Sequence, residues 1–206
     1  MQSSSVFWDS TPNIMTDSAL IQIVDAALAD ATRRSGDWLA CKPGCSQCCH
    51  GVFAISQLDA ERLRTGLSVV DAATAARIRL RVQESLIRLS AGYPGDLATG
   101  ILNGNETAFE EFANDEPCPV LDPSTQTCDL YAARPMTCRT FGPPVRTQEG
   151  GLGVCELCFI GAPAETVAAC ELLPDPDGME EQLIAEAEAR TGLYGKTIVS
   201  FALRNA

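Results

Sequence analysis

Four cysteines fall within nine residues, as Cys41-x3-Cys45-x2-Cys48-Cys49, in a stretch that also carries Lys42-Pro43-Gly44 and ends at His50-Gly51. Packing gives no reason to concentrate thiols in this way, so the block points to chemistry. Thiolates are soft donors, well matched to zinc or iron–sulfur clusters and poorly matched to magnesium or calcium. Two or three intervening residues let successive sulfurs turn toward one centre while the amides between them face it. Gly44 supplies the backbone freedom that such a tight turn needs.

Six more cysteines follow. Cys118-x9-Cys128-x9-Cys138 forms a second block, separated from the first by 68 residues, so a shared centre would tie two distant segments together. Cys155-x2-Cys158 and Cys170 form a third set, with Cys155 and Cys158 a candidate metal knuckle. The opening, MQSSSVFWDST, has neither the basic segment nor the apolar run of a secretory signal, which predicts a cytoplasmic protein. A reducing cytoplasm keeps structural disulfides open, so clustered thiols there bind metal or do redox work.

The second block reads CPVLDPSTQTCDLYAARPMTCRTF. Together the two blocks resemble the YkgJ-type cysteine-cluster family, the CxxCxxCC domain proteins described as zinc- or iron-chelating. The matching residues are Cys41, Cys45, Cys48 and Cys49, then Cys118, Pro119, Leu121, Cys128, Tyr131, Arg134, Pro135, Cys138, Arg139 and Phe141. The resemblance implies metal binding and leaves the metal and the reaction open. It spans residues 41–141, with a C-terminal helical extension over 142–206 that holds the additional CxxC. Flagellin lysine-N-methylases resemble the family in carrying a similar cysteine motif, which makes methyl transfer conceivable.

Zinc takes four ligands, and seven matching cysteines exceed one ion's need. A [4Fe-4S] cluster also takes four, with potential tuned by neighbouring donors. The expected cofactor is therefore an iron–sulfur cluster, with zinc as the alternative. The expected ligands, in order, are Cys41, Cys45, Cys48 and Cys49, then Cys138, Cys128 and Cys118. Adjacent Cys48 and Cys49 face one centre only on a bent backbone. Arg134 and Arg139 flank Cys138 and are expected to offset thiolate charge.

Around these blocks the pattern is mainly α, in one α-rich domain over residues 1–206 with irregular cysteine loops organised by metal. Helical spacing places a helix from Asp17 to about Arg34, using Leu20, Val24, Ala27 and Leu28, with Gly36 as its stop. Ser56 and Asp59 mark a second start, ending near Gly66. A longer helix is expected over 68–91 with Val69, Ala73, Ala76, Leu80 and Ile87 buried, and Arg77, Arg81, Glu84 and Arg88 forming local pairs on a solvated face. A short helix is expected near 106–113, a small β-hairpin at Gly150-Gly151, and helices again from Met179 and from Tyr194.

Fifteen basic against 27 acidic residues leave a net charge of −12, which repels phosphate backbones and anionic lipid. Nucleic acid and membranes are thus unexpected partners, and no apolar run is long enough to span a bilayer. A protein or small-molecule partner stays open. His50, the one histidine, reads as a surface residue ahead of a ligand or proton donor. Cys170 reads as a small buried hydrophobe, and Cys155 and Cys158 divide evenly between that reading and ligation. Cys41-x3-Cys45-x2-Cys48 also has the spacing of the radical S-adenosylmethionine loop, without the repeated βα pattern of those enzymes. Three roles remain: redox or metal handling, a structural zinc module, and a metal-dependent enzyme.

Overall fold

Thr16 starts the first helix by accepting the Ala19 N–H at 3.2 Å on its hydroxyl. The computed structural model describes residues 16–147 and 150–206; the opening segment read above for a secretory signal lies outside them. Helix α1 (Asp17–Ser35) buries Leu20, Val24 and Ala31 and ends at Gly36, whose φ of 51° few other residues adopt. No helix among the described residues is long and apolar enough to cross a membrane.

Helix α2 (Gln57–Val69) begins with the expected reciprocal cap between Ser56 and Asp59. It does not stop at Gly66. That glycine lies mid-helix because a Cβ there would sit 2.3 Å from the Cβ of Ala133, in a short 3-10 turn over Tyr131–Ala133. Close approach, and not termination, is its role.

Helix α3 (Ala72–Leu89) is capped by Asp71, which accepts from Ala73 and Thr74. Its buried face is Ala75, Ile78, Val82, Ser85 and Leu89, while Val69, Leu80 and Ile87 are exposed. The expected face was therefore the wrong one. Apolar residues occur all round this helix, and the true face includes Ser85, whose hydroxyl pairs with Ser200 at 2.8 Å; counting apolar residues passes over it. Nor are its arginines locally paired as a set. Arg81 reaches Asp129 and the Pro119 carbonyl, and Arg88 reaches Glu116, tying α3 to the second cysteine block.

Three two-stranded antiparallel hairpins follow where one was expected. Strands β1 (Gly95–Asp96) and β2 (Ile101–Leu102) pair, as do β3 (Leu121–Asp122) with β4 (Thr127–Cys128). Strands β5 (Val145–Arg146) and β6 (Leu152–Gly153) form the expected hairpin around Gly150-Gly151. Between them lie α4 (Glu106–Glu110) and α5 (Met136–Thr140). Helices α6 (Ala164–Ala169), α7 (Met179–Thr191) and α8 (Val199–Ala202) complete the chain. The last is shorter than expected because Thr197 and Ile55 exchange backbone hydrogen bonds at 2.8 and 2.9 Å, holding that segment extended.

One core packs α2, α3 and α8 against Val120, Leu130 and Ala133, with Cys118 and Cys128 at its margin. A second joins α1, α2 and α7 through Leu20, Val24, Leu58, Met179 and Leu183. Between them runs a buried polar link. Arg62 pairs with Asp59 and Asp17, and Asp59 also accepts the Met136 N–H at 2.9 Å, setting the start of α5.

Candidate metal centre

The two cysteine blocks meet through their backbones. Gly51 N–H donates to the Glu116 carbonyl at 2.9 Å and Cys118 N–H to the Cys49 carbonyl at 2.8 Å, with His50 bridged to Pro117 between them. Ser46 adds a side-chain tie at 2.7 Å to Gln126, in the β3–β4 turn. His50 is exposed and its backbone serves this clasp, in keeping with a surface residue.

Cys128 lies on β4 opposite Leu121. Cys138 lies on α5, a helix fixed at its start by Asp59 and at its far end by Arg139, which donates to Asp25 of α1 at 2.7 Å. Cys138 and Cys48 thereby come within electrostatic reach of Cys118 and Cys128. Burial pushes the Cys118 thiol up to about 12 and raises Cys128 and Cys138 as well. The Val120 N–H works against this at Cys118, and the Leu130 N–H at Cys128. Each amide lies two residues past its cysteine and favours the thiolate over the thiol.

Cys48 and Cys49 share a proton unevenly. The Cys49 thiol hydrogen-bonds Cys48 and lowers its pKa, and the same contact raises Cys49. Cys48 stands within the electrostatic reach of Cys138, and Cys49 within that of Cys118 and Cys128, so both adjacent thiols face the second block.

Arg134 stacks on the Tyr131 ring at 4.0 Å, lies 3.6 Å from Asp25, and favours the Cys48 and Cys128 thiolates by its charge. Arg139 is 2% exposed and directs its terminal nitrogens to Asp25 and the Ala132 carbonyl, leaving Nε without a partner. Both arginines line the thiol cavity, but Arg139 is engaged chiefly in holding α5.

Cys41 and Cys45 line the same cavity. They stand with Cys155 and Cys158, two residues outside the expected seven. Cys41 is exposed as a residue, but enclosure of its sulfur against Gly142, then the charge of Cys158, pushes the thiol up to about 12. The regular C-x2-C spacing was the signal that marked this pair. Cys170 is 3% exposed, packs against Cys155, Cys158 and Phe159, and follows α6 instead of lying on it.

Eight of the ten cysteines line a single cavity of about 560 Å³, walled by Phe53, Phe141, Ile198 and Val199 among others. Among the described residues, no three Cys, His, Asp or Glu side chains already stand close enough to grip one ion. The donor set nonetheless fits a soft metal. It is all sulfur, it sits at the margin of an apolar core, and it has cationic and amide support.

A family model described as "Putative zinc- or iron-chelating domain" matches residues 40–158, more than half of the chain and inclusive of Cys155 and Cys158. No curated protein and no solved structure matches the chain.

Proposed function

The chain belongs to the CxxCxxCC family of zinc- or iron-chelating domains, and on that premise we propose that Cys48, Cys118, Cys128 and Cys138 hold an iron–sulfur cluster used in electron transfer. The observation that carries this reading is the cavity itself, in which grouped thiols line about 560 Å³ without closing on a point. A tetrahedral zinc site, with Zn–S of about 2.3 Å, draws its sulfurs to about 3.8 Å from one another. A cubane places its own irons and sulfides between the thiolates and so suits sulfurs that are held apart.

Bound there, the cluster would supply one-electron chemistry at a potential set by charge, hydrogen bonds and burial. The protein's contribution is the setting. Phe53, Phe141, Ile198 and Val199 limit water, the Val120 and Leu130 amides stabilise thiolate charge, and Arg134 offsets part of the anion. Cys49 lies beside Cys48 and lowers the pKa of that thiol.

Anaerobic purification with iron, sulfide and zinc analysis and an absorption spectrum tests the reading. A brown protein with matched iron and sulfide, lost in Cys138→Ser, is the expected result. A colourless, iron-free protein after anaerobic reconstitution would remove the cluster from consideration.

A further inference from the structure

Cys155-x2-Cys158 closes the stretch that the family model matches and lies after the two cysteine blocks read from the sequence. Cys158 N–H donates to the Cys155 carbonyl at 2.8 Å, closing the turn, and the Leu157 N–H favours the Cys155 thiolate. A second amide, from Ala40, donates to the Cys158 Sγ at 3.4 Å. Phe159 N–H to the Trp38 carbonyl at 2.8 Å then fastens this turn beside residues 38–40.

Opposite it stands the turn Cys41-x3-Cys45, closed by Cys45 N–H to the Lys42 carbonyl at 2.9 Å, with Gly44 at a φ of 89°. Gln47 reaches across to Glu156 at 2.6 Å. Gly142 forms the floor: a Cβ there would lie 2.8 Å from the Cys41 Sγ, and its carbonyl accepts Cys155 N–H at 3.4 Å. Only a residue without a side chain leaves that sulfur its place.

Two short cysteine turns from distant segments, with three and two residues between their thiols and an amide donated to the Cys158 sulfur, are the construction of a structural four-thiolate zinc site. The two turns are brought together at their sulfurs as well, since the Cys158 Sγ accepts from Ala40, the residue that precedes Cys41. Rotation of cysteine χ1 among its staggered positions brings such sulfurs onto one ion.

The geometry points to a second, separate centre: one zinc ion held by Cys41, Cys45, Cys155 and Cys158, joining the first cysteine loop to the C-terminal segment. It deepens the metal-binding reading above while using none of the thiols assigned to the cluster. Cys170 is not a ligand but packs beneath the pair with Phe159.

The full chain, purified anaerobically, is analysed for zinc and iron, and its zinc environment is read by X-ray absorption. The expected result is about one zinc per chain in an all-sulfur shell. Cys155→Ser with Cys158→Ser loses the zinc and keeps the brown absorption; Cys128→Ser with Cys138→Ser does the reverse. Zinc that persists in the first variant, or zinc absent from a protein that carries iron, overturns the second centre and leaves the cluster standing. Iron absent from a protein whose zinc depends on Cys155 and Cys158 overturns the cluster and supports the second centre. Should the double variant fail to fold, Cys45→His keeps a zinc-compatible donor and is expected to show one nitrogen among the ligands. An unchanged all-sulfur shell in that variant also overturns the assignment.

Discussion

Arg81 of α3 forms an ion pair with Asp129, the residue that follows Cys128, and donates from Nε to the Pro119 carbonyl at 2.8 Å, one residue past Cys118. One side chain thus spans both cysteine-bearing arms of the β3–β4 segment. Both partners are largely enclosed, at 19% and 12% side-chain exposure. Arg81→Ala should cost about 2 kcal/mol, the loss of charged hydrogen bonds with a largely enclosed carboxylate left unpaired. It should also lower iron retention in parallel. Urea unfolding and iron analysis check both; unchanged iron with lowered stability would make Arg81 a packing residue alone.

Gly66→Ala sets two known effects against each other. Alanine is the better helix former by about 1 kcal/mol, but its Cβ would meet the Ala133 Cβ at 2.3 Å. Overpacking of this kind costs about 1–3 kcal/mol, so the variant should be less stable. Ala133→Gly in the same chain should restore much of the loss. A stabilised single variant in thermal unfolding would show that the 3-10 turn yields easily.

Glu180, at the start of α7, has its carboxyl raised above the ordinary 4.5 by burial and then by Asp59, with Arg62 opposing. The folded state therefore holds this proton more tightly than the unfolded state. Its stabilising contribution is complete below pH 4.5 and is lost as pH rises through the elevated folded value. Glu180→Gln should accordingly be more stable than the parent at pH 7, with the difference vanishing in acid. Melting temperatures across that range decide the sign.

Metal removal should act on loops before helices. The segments 38–51, 116–130, 142–147 and 150–160 hold turns, two-residue strands and one 3-10 turn at Gln47–Cys49, whereas α1, α2, α3 and α7 pack through Leu20, Leu63, Ile78 and Leu183. A strong chelator should therefore remove amide protection from the cysteine loops while much of the helical circular dichroism persists. Simultaneous loss of both signals would mean that the helices depend on metal as well.

Legibility in the sequence followed the range of the forces involved. The Ser56–Asp59 cap and the Gly36 stop are local, and both were readable from a few neighbouring residues. The face of α3 was not, because Ser85 answers to Ser200 and Arg81 to Asp129, partners far along the chain. Gly66 has the same character, its reason for being glycine lying in Ala133. Cysteine spacing marked every thiol-bearing turn, yet it could not say which turns face each other. Cys41 and Cys45 meet Cys155 and Cys158 only because residues 38–40 and Gly142 carry the C-terminal turn back to them.

The clasp between residues 49–51 and 116–118 makes the chain from 52 to 115 a closed excursion, leaving and returning at the same place. The entropy of closing a loop grows slowly, by about 0.6 kcal/mol for each doubling of its length. The distance in sequence between the two cysteine blocks is thus nearly a free parameter. Residues inserted at an exposed tip such as Gly104 lengthen the detour without shifting a sulfur. The gaps inside each turn have no such latitude, since one added residue there re-aims a thiol.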